Sequence, residues 1–312
     1  MGDRGRRMAE SRVQKRSDLV ARLAVLGALG LPRLLPFALR RPVAAWIVTH
    51  LLAPAAGYRD RIRANLAYAW PDLPDSEVHR LTRAVPANAG RMLIETLSGQ
   101  RFVRSLGAPE ITGDGAAALA RARAEGRPVV IVSGHFGNFD AARAALVQAG
   151  HRVGALFRPN DDPVLDARFH AMVASISEPI FPRGRRGLAA MVRHLKSGNT
   201  IAILPDQYVY EGAPLTYFGR TAPTSLAAAE LALKYGADLV PIYGIRQGTR
   251  FEIVAEAPIP HTDPATMMQA VNDSLEARVR AHPDQWLWIH RRWKPELQSS
   301  RTAPSTSPGP AA

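Results

Sequence analysis

Cysteine is absent from the 312 residues of this chain. Its absence excludes disulfide bridges, thiolate metal sites and a cysteine nucleophile, and it is compatible with a reducing compartment. The sequence also lacks the His-Glu-x-x-His pair of zinc hydrolases and the Gly-x-Ser-x-Gly turn of serine hydrolases. These absences argue against a zinc hydrolase and a serine hydrolase. A metal-dependent hydrolase that uses His135, Asp140, Asp206 and His290 remains an alternative.

Long apolar runs are missing as well. Residues 19–57 are rich in Leu, Ala, Val and Pro, but arginines interrupt them. No window therefore reaches the roughly 18 apolar residues of a clear membrane-spanning helix. The composition predicts helices that lie in the membrane interface, with their arginines at the level of the head groups. A helical hairpin packed on the core is the alternative.

Positive charge dominates the chain, with 40 Lys and Arg against 27 Asp and Glu and a net charge of +13. Such a surface attracts nucleic acid, anionic lipid or an acidic carrier protein. Nucleic-acid binders interleave aromatic with basic residues or carry a recognisable module, and neither feature is present. We therefore expect a membrane surface and no nucleic acid, although a non-catalytic basic binding protein is a third hypothesis.

The pattern of apolar residues divides the chain into three parts. Residues 1–57 form a membrane-associating segment, residues 58–297 a folded domain, and residues 298–312 a disordered tail rich in Ser, Thr and Pro. Residues 59–100 are helical, with a turn at two prolines. Beyond residue 128, predicted strands (128–132, 152–157, 200–204, 239–245, 250–256) alternate with predicted helices (141–148, 163–175, 187–196, 225–235, 264–281). This alternation is typical of an α/β fold with a mixed sheet covered by helices.

The segment after residue 128 carries the most informative motif. Val-Val-Ile-Val at residues 129–132 is a buried-type strand that leads through two glycines to His135 and then to a helix. A histidine at the carboxyl end of a strand lies at the edge where α/β proteins bind ligands. Asp140 falls in the first turn of the helix, where its carboxylate either caps the helix or turns back onto the imidazole. In the second case His135 becomes a base for a hydroxyl group.

The motif His135-Phe-Gly-Asn-Phe-Asp140 resembles the His-x4-Asp/Glu motif of glycerolipid acyltransferases. In particular it resembles the Gly-His-Phe-Gly-Asn-Trp-Glu form of the bacterial lipid A biosynthesis lauroyl/myristoyl acyltransferases, with Phe139 in place of Trp and Asp in place of Glu. Four further blocks are similar to that family: the Arg-x-Asn-Leu segment within residues 61–71, Phe-Arg-Pro-Asn at 157–160, Leu-Pro-Asp-Gln at 204–207, and Trp-Ile-His-Arg-Arg-Trp-Lys at 288–294.

The resemblance implies a glycerolipid-acyltransferase-like fold and an O-acyltransferase. Its donor would be an acyl thioester, either acyl carrier protein or acyl-CoA, and its acceptor a hydroxyl of a lipid-linked glycolipid. A lipid A precursor is the favoured acceptor, and a phosphatidylinositol mannoside or an ornithine lipid is the alternative. The enzyme would act at the cytoplasmic face of the inner membrane, with His135 as base and Asp140 as its partner, and it would need no metal and no other cofactor.

Four further residues are candidate substrate contacts. Asn138 lies within the motif. Arg158 follows a predicted strand and cannot lose its charge, so that it suits a phosphate on the acceptor or on the donor's prosthetic arm. Asp206 and Gln207 end another predicted strand, where they orient the acceptor in the same cleft or support the core.

Two cationic segments complete the set of candidates. A loop ahead of a predicted helix contains Arg183, Arg185 and Arg186, and it either binds anionic head groups or is a solvated basic face. Near the end of the domain three tryptophans surround His290: Trp286, Trp288 and Trp293. Such a cluster suits a membrane interface, and aromatic core packing explains it nearly as well.

Overall fold

The computed structural model describes residues 34–157 and 163–294. They form the predicted α/β fold, in which helices cover a mixed seven-stranded sheet. The strands are β1 (Ile111–Thr112), β2 (Val129–Val132), β3 (Val153–Phe157), β4 (Ile180–Pro182), β5 (Thr200–Ile203), β6 (Ala213–Tyr217), β7 (Arg220–Thr224), β8 (Asp238–Gln247) and β9 (Arg250–Ala255). The α-helices are α1 (Phe37–Ile47), α2 (Ala53–Ala55), α3 (Tyr58–Ala69), α4 (Asp75–Ser98), α5 (Gln100–Ser105), α6 (Ala116–Ala124), α7 (Phe139–Gln148), α8 (Pro163–Ala174), α9 (Arg185–Lys196), α10 (Ala227–Tyr235) and α11 (Pro264–Ala281). A π-helical segment (Val48–Leu52) joins α1 to α2, and a short 3-10 helix (Pro283–Gln285) follows α11.

The sheet has the strand order β1-β9-β8-β2-β5-β3-β4. Every pair of neighbours is parallel except β8 and β9, which form an antiparallel pair. Strand β2 lies at the centre, and all four of its residues are buried. A strand covered on both faces needs apolar side chains at every position, which explains the uninterrupted Val-Val-Ile-Val run. Strands β6 and β7 form a separate hairpin.

The predicted elements agree closely with the structure. Helix α11 has the predicted bounds, because Asp263 caps it with hydrogen bonds from two main-chain N–H groups and Pro264 occupies its first position. Gly236 ends α10 in the left-handed conformation, as expected of a C-cap glycine. Helices α3 and α4 flank the predicted proline turn. The short strands β1 and β4, the helices α5 and α6, and the β6–β7 hairpin were not predicted.

The described part of the N-terminal segment packs on α4. A Cβ atom at Gly90 of α4 would lie 2.6 Å from the carbonyl oxygen of Ala44, so only glycine permits this approach of α1. The opposite face leaves large apolar side chains exposed: Leu39 (51%), Trp46 (55%) and Leu51 (54%). No helix in the described part of the chain is both long and apolar enough to cross a membrane. Residues 1–33 and the predicted tail lie outside the described residues.

Candidate active site

His135 lies just beyond β2, and Asp206 lies just beyond β5, the parallel neighbour of β2. The main-chain N–H of His135 donates to Oδ2 of Asp206 (2.7 Å), and its Nδ1 atom lies 2.7 Å from Oδ1. One carboxylate thus binds both the main chain and the ring of the histidine. Because the carboxyl ends of parallel strands meet at one edge of the sheet, strand pairing itself brings the two residues together.

The Asp206–His135 pair is electrostatically stable. Asp206 is 1% exposed and also accepts a hydrogen bond from Nε1 of Trp286 (3.0 Å). Burial alone would raise the pKa of the carboxyl, but the charge and the hydrogen bonds of His135 hold that pKa far below its usual 3.8. Burial would likewise lower the pKa of His135, but the ionised Asp206 outweighs burial and raises the pKa above its usual 6.5. Since the carboxylate only accepts, Nδ1 carries the proton and Nε2 presents a lone pair.

Asp140 does not contact the His135 ring, which corrects the predicted pairing. Its Oδ2 accepts a hydrogen bond from the Thr96 hydroxyl (2.6 Å), and its Oδ1 lies 3.1 Å from the guanidinium of Arg143. Asp140 lies in the first turn of α7, from which its side chain reaches Thr96 of α4. The buried carboxylate of Asp140 therefore links α4, through Thr96, to α7, through Arg143.

Asn138 is fully buried and faces away from solvent, contrary to its prediction as a substrate contact. Its Oδ1 caps α7 by accepting hydrogen bonds from the N–H groups of Asp140 and Ala141, and its Nδ2 donates to Glu95 (2.7 Å). Neither polar end is left for a substrate. The preceding Gly137 has a positive φ of 56°, and a Cβ there would collide with the Gly244 carbonyl of β8. Because Gly137 has no side chain, the turn after His135 can pass close to the main chain of β8.

The other predicted substrate residues have different positions. Gln207 is exposed, and its Nε2 lies 3.4 Å from Nε2 of His135, so Asp206 and Gln207 both lie beside His135; their contact with a substrate stays a prediction. Arg183 follows β4 at the same carboxyl edge of the sheet and is exposed, as are Arg185 and Arg186. Arg158 lies outside the described residues.

The tryptophan cluster belongs to the core. Trp286, Trp288 and Trp293 are at most 4% exposed and pack on one another and on Tyr217. This packing rules out the membrane-interface reading for the three rings. The same segment brings His290 against His135, with ring centroids 4.6 Å apart, a contact that the sequence predicted only for the metal-dependent alternative. Only the spatial fold, and no local sequence pattern, could have indicated this contact.

The four residues of the metal-dependent alternative do not all converge: Asp206 and His290 lie beside His135, but Asp140 points toward α4. In the described ranges no group of three or more His, Cys, Asp or Glu side chains is placed to hold a metal ion. The site is instead a buried carboxylate, a histidine with one available nitrogen, and an exposed amide. Such a set suits general base catalysis on a hydroxyl group.

Comparison with known proteins supports an acyl-transfer site. A family model described as "Bacterial lipid A biosynthesis acyltransferase" matches residues 11–295. The chain is 25% identical to a lipid A biosynthesis palmitoleoyltransferase of Escherichia coli (strain K12) over 285 residues, which cover 86% of this chain and 89% of the relative. It is 24% identical to a phosphatidylinositol mannoside acyltransferase of Mycobacterium tuberculosis (79% and 81% covered). It is 23% identical to a lipid A biosynthesis lauroyltransferase of Escherichia coli (77% and 81% covered).

Proposed function

Because the chain belongs to the bacterial lipid A biosynthesis acyltransferase family, we propose that it transfers a fatty acyl chain from a thioester to a hydroxyl group of a membrane glycolipid. The observation that carries this proposal is the His135–Asp206 pair. A buried carboxylate fixes the ring through Nδ1, and Nε2 is left beside the exposed Gln207. The pair is the arrangement that activates a hydroxyl for nucleophilic attack.

The reaction proceeds by direct attack of the acceptor on the thioester. Nε2 of His135 takes the proton of the acceptor hydroxyl while the oxygen bonds to the acyl carbonyl carbon. The carbonyl electron pair moves to its oxygen and forms a tetrahedral oxyanion. The oxyanion then collapses, the C–S bond breaks, and the thiolate takes the proton back from His135. The ionised Asp206 stabilises the imidazolium between the two proton transfers.

The acceptor that we propose is a lipid A precursor. The family description and the relatives from Escherichia coli support this choice. The relative from Mycobacterium tuberculosis supports a phosphatidylinositol mannoside as the alternative, and an ornithine lipid is the third possibility. The contact of Arg158 with a phosphate of the acceptor or the donor stays a prediction from the sequence.

The donor that we propose is an acyl carrier protein, with acyl-CoA as the alternative. Strand β4 is three strand spacings from β2, about 14 Å. The phosphopantetheine arm has the backbone length of about four residues, roughly 15 Å when extended. A carrier bound at the arginines after β4 thus reaches His135 along the sheet edge. The guanidinium groups of Arg183, Arg185 and Arg186 have no hydrogen-bonding or ionic partner among the described residues, which leaves their charges for an acidic partner.

The site of action that we propose is the cytoplasmic face of the inner membrane. The exposed side chains of Leu39, Trp46 and Leu51 support it, because a Trp and two Leu beside basic residues suit the head-group region of a bilayer. The net charge of +13 adds attraction to anionic lipid.

Acyl transfer by the purified protein tests the proposal. Wild type and His135→Ala are incubated with a lauroyl carrier-protein or lauroyl-CoA donor and with each of the three acceptors, and acylated lipid is measured by mass spectrometry. We expect product with wild type and none above background with the variant. Transfer at the wild-type rate by a folded His135→Ala protein would exclude this mechanism. Absence of product with every acceptor would refute the proposed substrate class.

A further inference from the structure

The segment that carries His290 is hydrogen-bonded directly to the main chain of the catalytic histidine. The main-chain N–H of Leu287 donates to the carbonyl oxygen of His135 (3.0 Å). From α3, Nδ2 of Asn65 donates to the carbonyl oxygens of Trp288 (2.6 Å) and His290 (2.8 Å). The Arg-x-Asn-Leu block and the closing Trp-Ile-His block therefore meet here. Their contact fixes the position of one side chain beside the base.

That side chain, the imidazole of His290, has no hydrogen-bond partner among the described residues. The rings of His290 and His135 meet edge to face at 73°, with centroids 4.6 Å apart. Nε2 of His290 is buried and has no hydrogen bond, and its Nδ1 has none with any described residue. A buried N–H without an acceptor costs more than a buried lone pair without a donor. The proton therefore belongs on Nδ1, where it remains available for another group.

His290 is also held uncharged. Burial lowers its pKa to about 4, and the positive charges of His135 and Arg61 act in the same direction, against the opposing carboxylate of Asp206. A second cation 4.6 Å from His135 would oppose the uptake of a proton by the base. A neutral ring can donate a hydrogen bond there without that cost.

We propose that His290 is a second catalytic residue, whose Nδ1–H donates a hydrogen bond to the thioester carbonyl oxygen as it becomes the oxyanion. The inference rests on the proposed acyl transfer. In that step the acceptor oxygen bonds to the carbonyl carbon, the carbonyl electron pair moves to the oxygen, and the acceptor proton goes to His135. His290 transfers no proton. Its hydrogen bond strengthens as the negative charge develops, so it lowers the barrier more than it stabilises bound substrate.

Substitutions that separate ring packing from hydrogen bonding test this role. His290→Phe keeps a ring against His135 but has no donor, and His290→Asn places an N–H near the position of Nδ1. The matched control is His282→Phe, since His282 is also half-buried and its ring packs on Phe136, next to His135. The values of kcat and KM for lauroyl-CoA and a lipid A precursor, together with the unfolding temperature, are measured for each protein.

We expect His290→Phe to lower kcat on the order of 100-fold with KM within about threefold, the usual effect of losing one oxyanion donor. His290→Asn should recover at least about tenfold of that loss, and His282→Phe should stay near wild type. A folded His290→Phe protein with nearly normal kcat would overturn the proposed role of His290. Acyl transfer by the wild-type protein in the same assay would show that the proposed function itself still stands. If His290→Phe does not fold, His290→Leu replaces it, and an Asn variant no faster than the Leu variant overturns the proposal equally.

Discussion

The protonation state of His135 decides when the site is active. The base must be neutral to accept a proton, and burial, which lowers its pKa, is outweighed by the adjacent Asp206, which raises that pKa above 6.5. We therefore predict that kcat falls as the pH drops, with a midpoint above 6.5. Removal of the carboxylate charge in Asp206→Asn should move this midpoint to lower pH, because the interaction that raises the pKa is lost.

Initial rates between about pH 5 and pH 9 measure both midpoints. Each protein is compared with its own unfolding curve, so that acid unfolding is not mistaken for titration. A wild-type midpoint below 6.5, or one that Asp206→Asn moves upward, would contradict the assigned charges.

At the residue scale the sequence identifies the base but not its partner. The motif around His135 is local, and a histidine after a buried strand is recognisable in one sequence. The contact with Asp206 spans 71 residues and depends on β5 pairing with β2, which no local pattern specifies. Asp140 was the nearer candidate, but its direction depends on how α7 leaves the turn. The predicted partner of His135 was therefore wrong, and Asp206, predicted as a substrate contact, occupies that place.

A buried ionic network joins the elements behind the site. Glu95 of α4 is fully buried and forms two hydrogen bonds with Arg246 of β8, an ion pair with Arg41 of α1, and a hydrogen bond with Asn138 at the cap of α7. One carboxylate thus holds a sheet strand, the helix after the catalytic turn, and the N-terminal helix.

We predict that Glu95→Gln lowers the free energy of unfolding by about 3 to 5 kcal/mol, because it leaves buried arginines without a counter-charge. The matched control is Glu77→Gln, which breaks the exposed pair with Arg80 and should cost less than about 1 kcal/mol. Urea unfolding curves provide both values. Equal losses in the two variants would show that the network adds nothing to the stability of the fold.

At the element scale, long periodic segments could be predicted and short ones could not. Helices such as α11 combine an apolar face with capping residues, and β2 is a continuous apolar run. Strand β4 has three residues and is defined only by its pairing with β3. The turn of the β6–β7 hairpin has positive φ at Phe218 (54°) and Gly219 (65°), and a phenylalanine gives no signal for that conformation.

The charge distribution of the whole molecule separates the two possible donors. We predict that Arg185→Glu with Arg186→Glu raises KM for the acyl carrier protein by about tenfold or more, with little effect on acyl-CoA, because the acidic carrier is repelled. The matched control, Arg121→Glu with Arg123→Glu, changes the net charge equally on exposed residues of α6, which precedes the amino end of β2. Kinetics with both donors decide the matter. An equal rise of KM for the acyl carrier protein in the two double variants would show that only the net charge matters, and it would contradict a carrier site at Arg185 and Arg186.

Membrane attachment is the second property of the whole molecule. We predict that replacing Leu39, Trp46 and Leu51 by Ser weakens flotation with anionic vesicles, and more so at about 1 M than at about 0.1 M salt. Salt screens the arginines but not apolar burial, so the loss is largest where only burial remains. Val147→Ser, an exposed apolar position on α7, serves as the control. Unchanged flotation of the triple variant in high salt would rule out an apolar contribution from this face.

The assignment of Asp206 as the partner of His135 is the central claim, and the rate of acyl transfer by Asp206→Asn and by Asp140→Asn tests it most directly. Both substitutions remove one buried carboxylate charge, but only the first removes the group bonded to Nδ1 of His135. We predict that kcat per folded enzyme falls at least about 1,000-fold in Asp206→Asn and less than about tenfold in Asp140→Asn. Near-normal kcat in Asp206→Asn together with a large loss in Asp140→Asn would contradict the assignment.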